Sequence, residues 1–173
     1  MSFNTDLLHA GVVREAKGAT LTPIYQSSAF EQDTAADLEK IFENKAPGFC
    51  YTRVGNPTVA AFENRITKLE GGMASIACAS GMAAIMNAIL NIVRSGDEIV
   101  SSASLYGGSI DLFRDIEEFG ITTRYVKNND WEAIKGAINE HTRLIFAETI
   151  GNPCLDVTMW SDWHRSLMNI RFR

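Results

Sequence analysis

The sequence predicts an α/β fold, a mainly parallel sheet with helices on both faces. Three observations carry this. From residue 74 onward, short apolar runs alternate with helical runs, which implies crossover connections and parallel strands. Glycines stand where helices should stop, at Gly71-Gly72 and Gly120. Ser80-Gly81, Tyr106 and Asn152 each fall just past a predicted strand end, where parallel sheets bind ligands.

Residues 1–32, with Gly11, Gly18 and Pro23, read as an irregular arm. Asp33 or Thr34 can cap a helix running to about Asn44, with Leu38, Ile41 and Phe42 on one face. Residues 45–56 form a loop. Asn56-Pro57 supplies an N-cap and a proline at the first helical position. The helix that follows places Val59, Phe62, Ile66 and Leu69 on one stripe and ends at Gly71-Gly72. Strand 74–78 then leads to helix 82–94, strand 98–102 to helix 108–119, and strand 121–126 to helix 130–139, before strand 143–148. The expected organisation is an arm and helix over 1–56, a partial α/β domain over 57–158 and an atypical tail over 159–173.

Composition narrows the function. At 173 residues, 46% hydrophobic and 21% charged, the chain can bury one sizeable core. A net charge of −5 argues against nucleic acid as a partner. No apolar run is long enough to span a bilayer, and the N-terminus lacks the pattern of a signal peptide. Cys50, Cys78 and Cys154 are sparse and form no CxxC, which fits a reducing cytoplasm. His9, His141 and His164 show no ligand spacing, so no metal is expected.

The most informative stretch is Cys78-Ala79-Ser80-Gly81-Met82-Ala83-Ala84. A small-residue turn opening a helix leaves backbone N–H groups free, and the helix dipole favours an anion there. Gly81 and Met82 are the candidate donors to a phosphate; a tight turn that merely needs small residues is the alternative. Neither GxGxxG nor GxxxxGK[ST] is present, which disfavours dinucleotides and Walker-type nucleotides. Tyr51 and Arg53 alternate, so in an extended segment they point the same way, and both suit a phosphate; an ordinary surface loop is the alternative. Tyr106 precedes Gly107-Gly108, and its ring can stack on a planar cofactor while its hydroxyl moves a proton; a structural tyrosine is the alternative. Asn152 precedes Pro153, which should hold it extended, and its amide can bond a ring oxygen; a plain Asn-Pro turn is the alternative. Glu148 ends a strand and can hold a loop or a cation.

The segments Tyr51-Thr52-Arg53-x-x-Asn56-Pro57-Thr58, Leu69-Glu70-Gly71-Gly72, Ala79-Ser80-Gly81-Met82-Ala83-Ala84, Gly96-Asp97-Glu98-Ile99-Val100, Leu105-Tyr106-Gly107-Gly108 and Glu148-Thr149-Ile150-Gly151-Asn152-Pro153 keep one order and spacing. That set resembles the Cys/Met-metabolism family of pyridoxal-phosphate (PLP) enzymes over roughly residues 5–158, and most resembles its O-acetylhomoserine sulfhydrylase branch. Methionine γ-lyase and cystathionine γ-synthase are the alternatives within the family. The resemblance implies an incomplete version of the large PLP-binding domain of fold-type I aminotransferase-like enzymes. It implies that Ser80, Gly81 and Met82 dock the phosphate, that Tyr106 stacks on the pyridine ring, and that Asn152 contacts the ring hydroxyl. It also implies that Tyr51 and Arg53 reach the phosphate of a neighbouring subunit, in a homo-oligomer that takes an amino-acid substrate and sulfide or a thiol.

The resemblance also has gaps. The family's chain is more than twice as long, with its Schiff-base lysine in a Ser-x-Thr-Lys segment and its pyridinium-binding Asp in a later strand. Neither segment occurs here, and none of Lys17, Lys40, Lys45, Lys68, Lys127 and Lys135 follows a strand in that setting. After Thr158 the family pattern fades. Read one base out of frame, Met159-Trp160 forces Val, Asp162-Trp163 Leu, Trp163-His164 Ala and Met168-Asn169 Glu, which resembles the family's next helix. The expectation is a frameshifted, self-associating fragment that forms no Schiff base alone. A non-catalytic fragment is therefore a third reading beside the sulfhydrylase and the lyase.

Overall fold

The computed structural model describes residues 2–12 and 18–161, so the expected tail lies outside the described residues from residue 162 on. Contacts group the chain into two units, Met1–Ala77 and Cys78–Arg173, a division that falls after helix 57–70 rather than before it.

The first unit holds three helices, α1 (Phe3–His9), α2 (Ala35–Phe42) and α3 (Pro57–Glu70). Helix α1 lies inside the stretch expected to be irregular. Its signals are local but weak: Ser2 caps Thr5 N–H, Asp6 stands in the first turn and His9 in the last, over only two turns. Thr34, not Asp33, caps α2, accepting from the Asp37 N–H. Helix α3 keeps both predicted ends. Asn56 caps Thr58 N–H at 2.8 Å, Pro57 opens the helix, and Gly71 closes it in the left-handed region at φ 63°. Gly11 is required where the arm crosses α3: at φ 74°, a Cβ there would meet the Ala61 carbonyl oxygen at 2.5 Å. The expected stripe on α3 is only half covered, since Val59 and Phe62 are exposed.

The second unit is the α/β part. Helix α4 (Gly81–Ile92) precedes strand β1 (Glu98–Ser102), helix α5 (Gly107–Glu117), strand β2 (Thr122–Val126), helix α6 (Trp131–Ala137) and strand β3 (Thr142–Phe146). The three strands are parallel in the order β2-β1-β3. Alternation along the strands divides the core. Ile99, Leu144 and Phe146 pack with Ile89, Val93, Phe113 and Ile116 of the α4 and α5 side. Val100, Val126 and Ile145 face the opposite way, onto Trp131 and Ile134 of α6. Helices therefore cover both faces, as the alternation of elements predicts.

The expected strand 74–78 does not form; the described residues there pair with no strand, and Ile76 is 86% exposed. An apolar run becomes a strand only when a neighbour takes its backbone groups.

At the N-terminal ends of the strands, Glu98 ties β1 to β2 and to the segment that leads into β3. It accepts from Arg124 Nε at 2.6 Å, Arg124 Nη2 at 3.0 Å and Asn139 Nδ2 at 2.7 Å. The Arg124 hydrogen bonds, and after them the Asn139 one, hold its carboxyl down at about 2 from an ordinary 4.5. A lowered folded-state value stabilises the fold above the unfolded-state value and is lost as pH falls. The denaturation midpoint is expected to drop between about pH 4.5 and about pH 2. Glu98→Gln is expected to flatten that part of the profile, at a cost of about 1–2 kcal/mol at neutral pH. Urea melts at stepped pH check this; an unchanged profile in Glu98→Gln would remove the assignment.

Candidate functional site

Two helix starts in the second unit are held differently. At α4, Ser80 is the extended N-cap, and its Oγ accepts from Ala83 N–H at 3.1 Å. Among the described residues the N–H groups of Gly81 and Met82 have no partner. Gly81 is not in the left-handed region, and a Cβ built on it would find nothing within 4 Å. Neither backbone geometry nor packing asks for glycine there, so the small residue leaves clear approach to two free donors. A phosphate fits this donor set: two backbone N–H groups, the Ser80 hydroxyl and the positive end of a three-turn helix.

At α5 a carboxylate braces the start. Glu148, just past β3, accepts Tyr106 N–H on Oε2 at 2.9 Å and the Ser109 hydroxyl on Oε1 at 2.8 Å. Glu148 thus braces this start through the cap N–H and the Ser109 hydroxyl, whereas among the described residues no carboxylate bonds the first turn of α4. Tyr106 is half exposed, and its ring lies over Gly108, where a Cβ would meet Tyr106 Cε1 at 2.5 Å.

Asn152 sits in the loop after β3, which is folded back on itself by an Ile150–Val157 bridge. The Asn152–Pro153 peptide is cis, and residues 152–154 form a turn. Gly151 is buried against Ser104, and Ser104 Oγ bonds Asp156 Oδ2 at 2.9 Å. Ser104 and Glu148 thus bring Tyr106 and Asn152 to neighbouring loops. An open hollow of about 410 Å³ lies alongside, lined in part by Asn152, Cys154, Tyr125 and Lys127. Burial pushes the Tyr125 phenol up, which keeps it a neutral donor. Lys127 directly follows β2, as the expected strand 121–126 implies, but not in a Ser-x-Thr-Lys segment.

Tyr51 and Arg53 belong to the first unit. They do not alternate along an extended segment, because residues 52–54 turn, with Val54 and Gly55 N–H both donating to the Tyr51 carbonyl. The turn nevertheless brings them together, the Arg53 guanidinium lying 5.4 Å from the Tyr51 ring centroid. Among the described residues no group of His, Cys, Asp or Glu could hold a metal ion, and no helix is long and apolar enough to cross a membrane.

The sequence matches, over residues 4–163, the family described as Cys/Met metabolism PLP-dependent enzyme. The chain belongs to this family. The match runs past Thr158 into the first residues of the expected atypical tail. An O-acetyl-L-homoserine sulfhydrylase of Corynebacterium glutamicum is 44% identical over 90% of this chain and 36% of its own length. An L-methionine gamma-lyase of Fusobacterium nucleatum is 36% identical over 90% of this chain and 40% of its own. A solved Campylobacter jejuni structure, assigned as an O-acetylhomoserine (thiol)-lyase with N′-pyridoxyl-lysine-5′-monophosphate, superposes with a TM-score of 0.90 at 28% identity. It covers 97% of this chain and 42% of that one. The fold is part of a fold-type I PLP-dependent architecture, and the chain spans about two fifths of the relatives it matches.

Glu148, Ser109, Ser104 and Asp156 tie these loops together. Of these four, the sequence gives a role only to Glu148, as a residue that can hold a loop or a cation. The hydrogen bonds of these four join residues 39 to 52 apart, so no local spacing could reveal them.

Proposed function

We propose that this chain carries the phosphate-docking and ring-stacking part of a PLP-dependent enzyme that replaces the acetoxy group of O-acetylhomoserine with sulfide or a thiol. The observation that carries the docking is the open start of α4, with the unpartnered N–H groups of Gly81 and Met82. The 44% identity to an O-acetyl-L-homoserine sulfhydrylase favours the substrate over that of the 36% identical methionine gamma-lyase. The activity is that of the whole protein, since the chain spans 36% and 40% of those relatives.

In this reading Ser80, Gly81 and Met82 hold the phosphate, and Asn152 donates its amide to the ring hydroxyl. The half-exposed ring of Tyr106 stacks on the cofactor, and its Oη moves a proton at the leaving group. Arg53, stacked on Tyr51, presents its guanidinium to the phosphate of a second copy, so the working form is a homo-oligomer, placed in the cytoplasm. When bound, PLP supplies the electron sink that makes protons beside an amine removable. No Ser-x-Thr-Lys segment lies within this sequence, and the docking reading concerns non-covalent binding of PLP by the residues named above.

Gly81→Ala tests the docking. Its Cβ meets nothing in the fold, and alanine suits a helix better than glycine, so stability is expected to hold or rise by up to about 1 kcal/mol. The backbone N–H remains, but the Cβ stands in the space through which the phosphate approaches, so PLP binding is expected to weaken about tenfold, as if one charge-assisted hydrogen bond were lost. Binding of pyridoxal, which lacks the phosphate, should not change. Equal PLP affinity in Gly81→Ala and the parent would overturn the assignment.

A further inference from the structure

We propose that Glu148 is a positioning residue, whose carboxylate holds the ring of Tyr106 in place by bracing the first turn of α5. The proposal rests on the reading that Tyr106 stacks on the cofactor.

Helix α5 begins with Gly107-Gly108, the residues with least intrinsic hold on a helical turn, and Tyr106 as N-cap has no capping side chain of its own. The bracing comes from Glu148, far along the chain. Both of its oxygens are engaged, one on Tyr106 N–H and one on the buried Ser109 hydroxyl, which spans the turn from its cap to its third residue. A negative charge there also complements the helix dipole.

The ring depends on that turn. It lies across Gly108, with Cε1, Cδ1 and Cζ at 2.5, 3.1 and 3.2 Å from where a Cβ would stand. Among the described residues the Tyr106 hydroxyl bonds nothing, so no tether at the far end of the ring competes. Unwinding the turn removes the ring's support.

Glu148 is itself anchored. Its carbonyl accepts the Thr158 hydroxyl at 2.5 Å, and Thr158 N–H donates to the Thr149 carbonyl at 3.0 Å. Thr158 is buried. The support therefore runs from Thr158 through Glu148 to the first turn of α5 and on to the ring.

Two measurements on the full chain test this. In the free protein, NMR should show a strong Overhauser contact between the Tyr106 ring and the Gly108 Hα protons. Glu148→Ala should lose it. Glu148→Gln, whose amide can meet both partners, should keep it. Glu148→Asp, one methylene short, carries the same test if Glu148→Ala does not fold. A contact that persists in Glu148→Ala or Glu148→Asp would overturn the proposal.

The second measurement is a double-mutant cycle read by PLP binding. Glu148→Ala is expected to weaken PLP about tenfold in the parent and not at all in a Tyr106→Ala background. An equal loss in both backgrounds would make Glu148 a general prop of the fold and overturn the positioning role. If the parent does not bind PLP while the Overhauser contact still depends on Glu148, the stacking reading fails and the positioning stands.

Discussion

Replacing Phe113 with alanine is expected to lower the stability of the α/β unit by about 4 kcal/mol. The side chain is fully buried. It meets Phe146 of β3 edge-on, with centroids 5.0 Å apart and planes at 87°, and meets Tyr125 of β2 at 6.5 Å. Ile89 and Val93 of α4, Ile99 of β1 and Ile116 of α5 share its cluster. One ring thus joins two helices to all three strands. The cavity it leaves cannot close without moving them, and about 4 kcal/mol is a large part of the stability of a domain this size. Phe113→Leu, which keeps most of the volume, is expected to cost less than about 1.5 kcal/mol. Urea denaturation of the three proteins measures the difference. A loss below about 1 kcal/mol in Phe113→Ala would show that the ring is not the packing centre.

Gly151→Ala is expected to damage the site more than any other single methyl group. The new Cβ would lie 2.2 Å from Ser104 Oγ and 2.7 Å from the Ser104 carbonyl oxygen. The hydroxyl can rotate away, but the carbonyl belongs to the backbone after β1 and cannot. Separating the two segments also stretches the bond between Ser104 Oγ and Asp156 Oδ2. The expected cost is about 2–3 kcal/mol, with Asn152 displaced and PLP binding weakened. Adding Ser104→Ala should recover little, because the carbonyl clash remains. Thermal melts and PLP titration of both variants check this. Full recovery in the double variant would show that the hydroxyl alone sets the fit. Gly81→Ala provides the contrast: the same methyl is harmless to the fold there and harmful only to the phosphate.

Helix ends, helix faces and the order of elements were legible before any contact was known, because they depend on neighbours a few residues away. Asn56-Pro57 and Gly71-Gly72 set the ends of α3, and Glu98–Ser102 was readable as a strand to the residue. The motifs pointed to the family for the same reason: each is a short run serving a local turn, such as Ser80-Gly81-Met82 at the start of α4. Tertiary structure decided the rest. The run 74–78 had the composition of a strand but no partner to make it one. Tyr51 and Arg53 met through a turn, not through alternation. Only the folded chain could show that Glu148 braces the start of α5 while, among the described residues, no carboxylate stands at that of α4, because that carboxylate is 42 residues from Tyr106 and is delivered by the parallel pairing of β1 with β3.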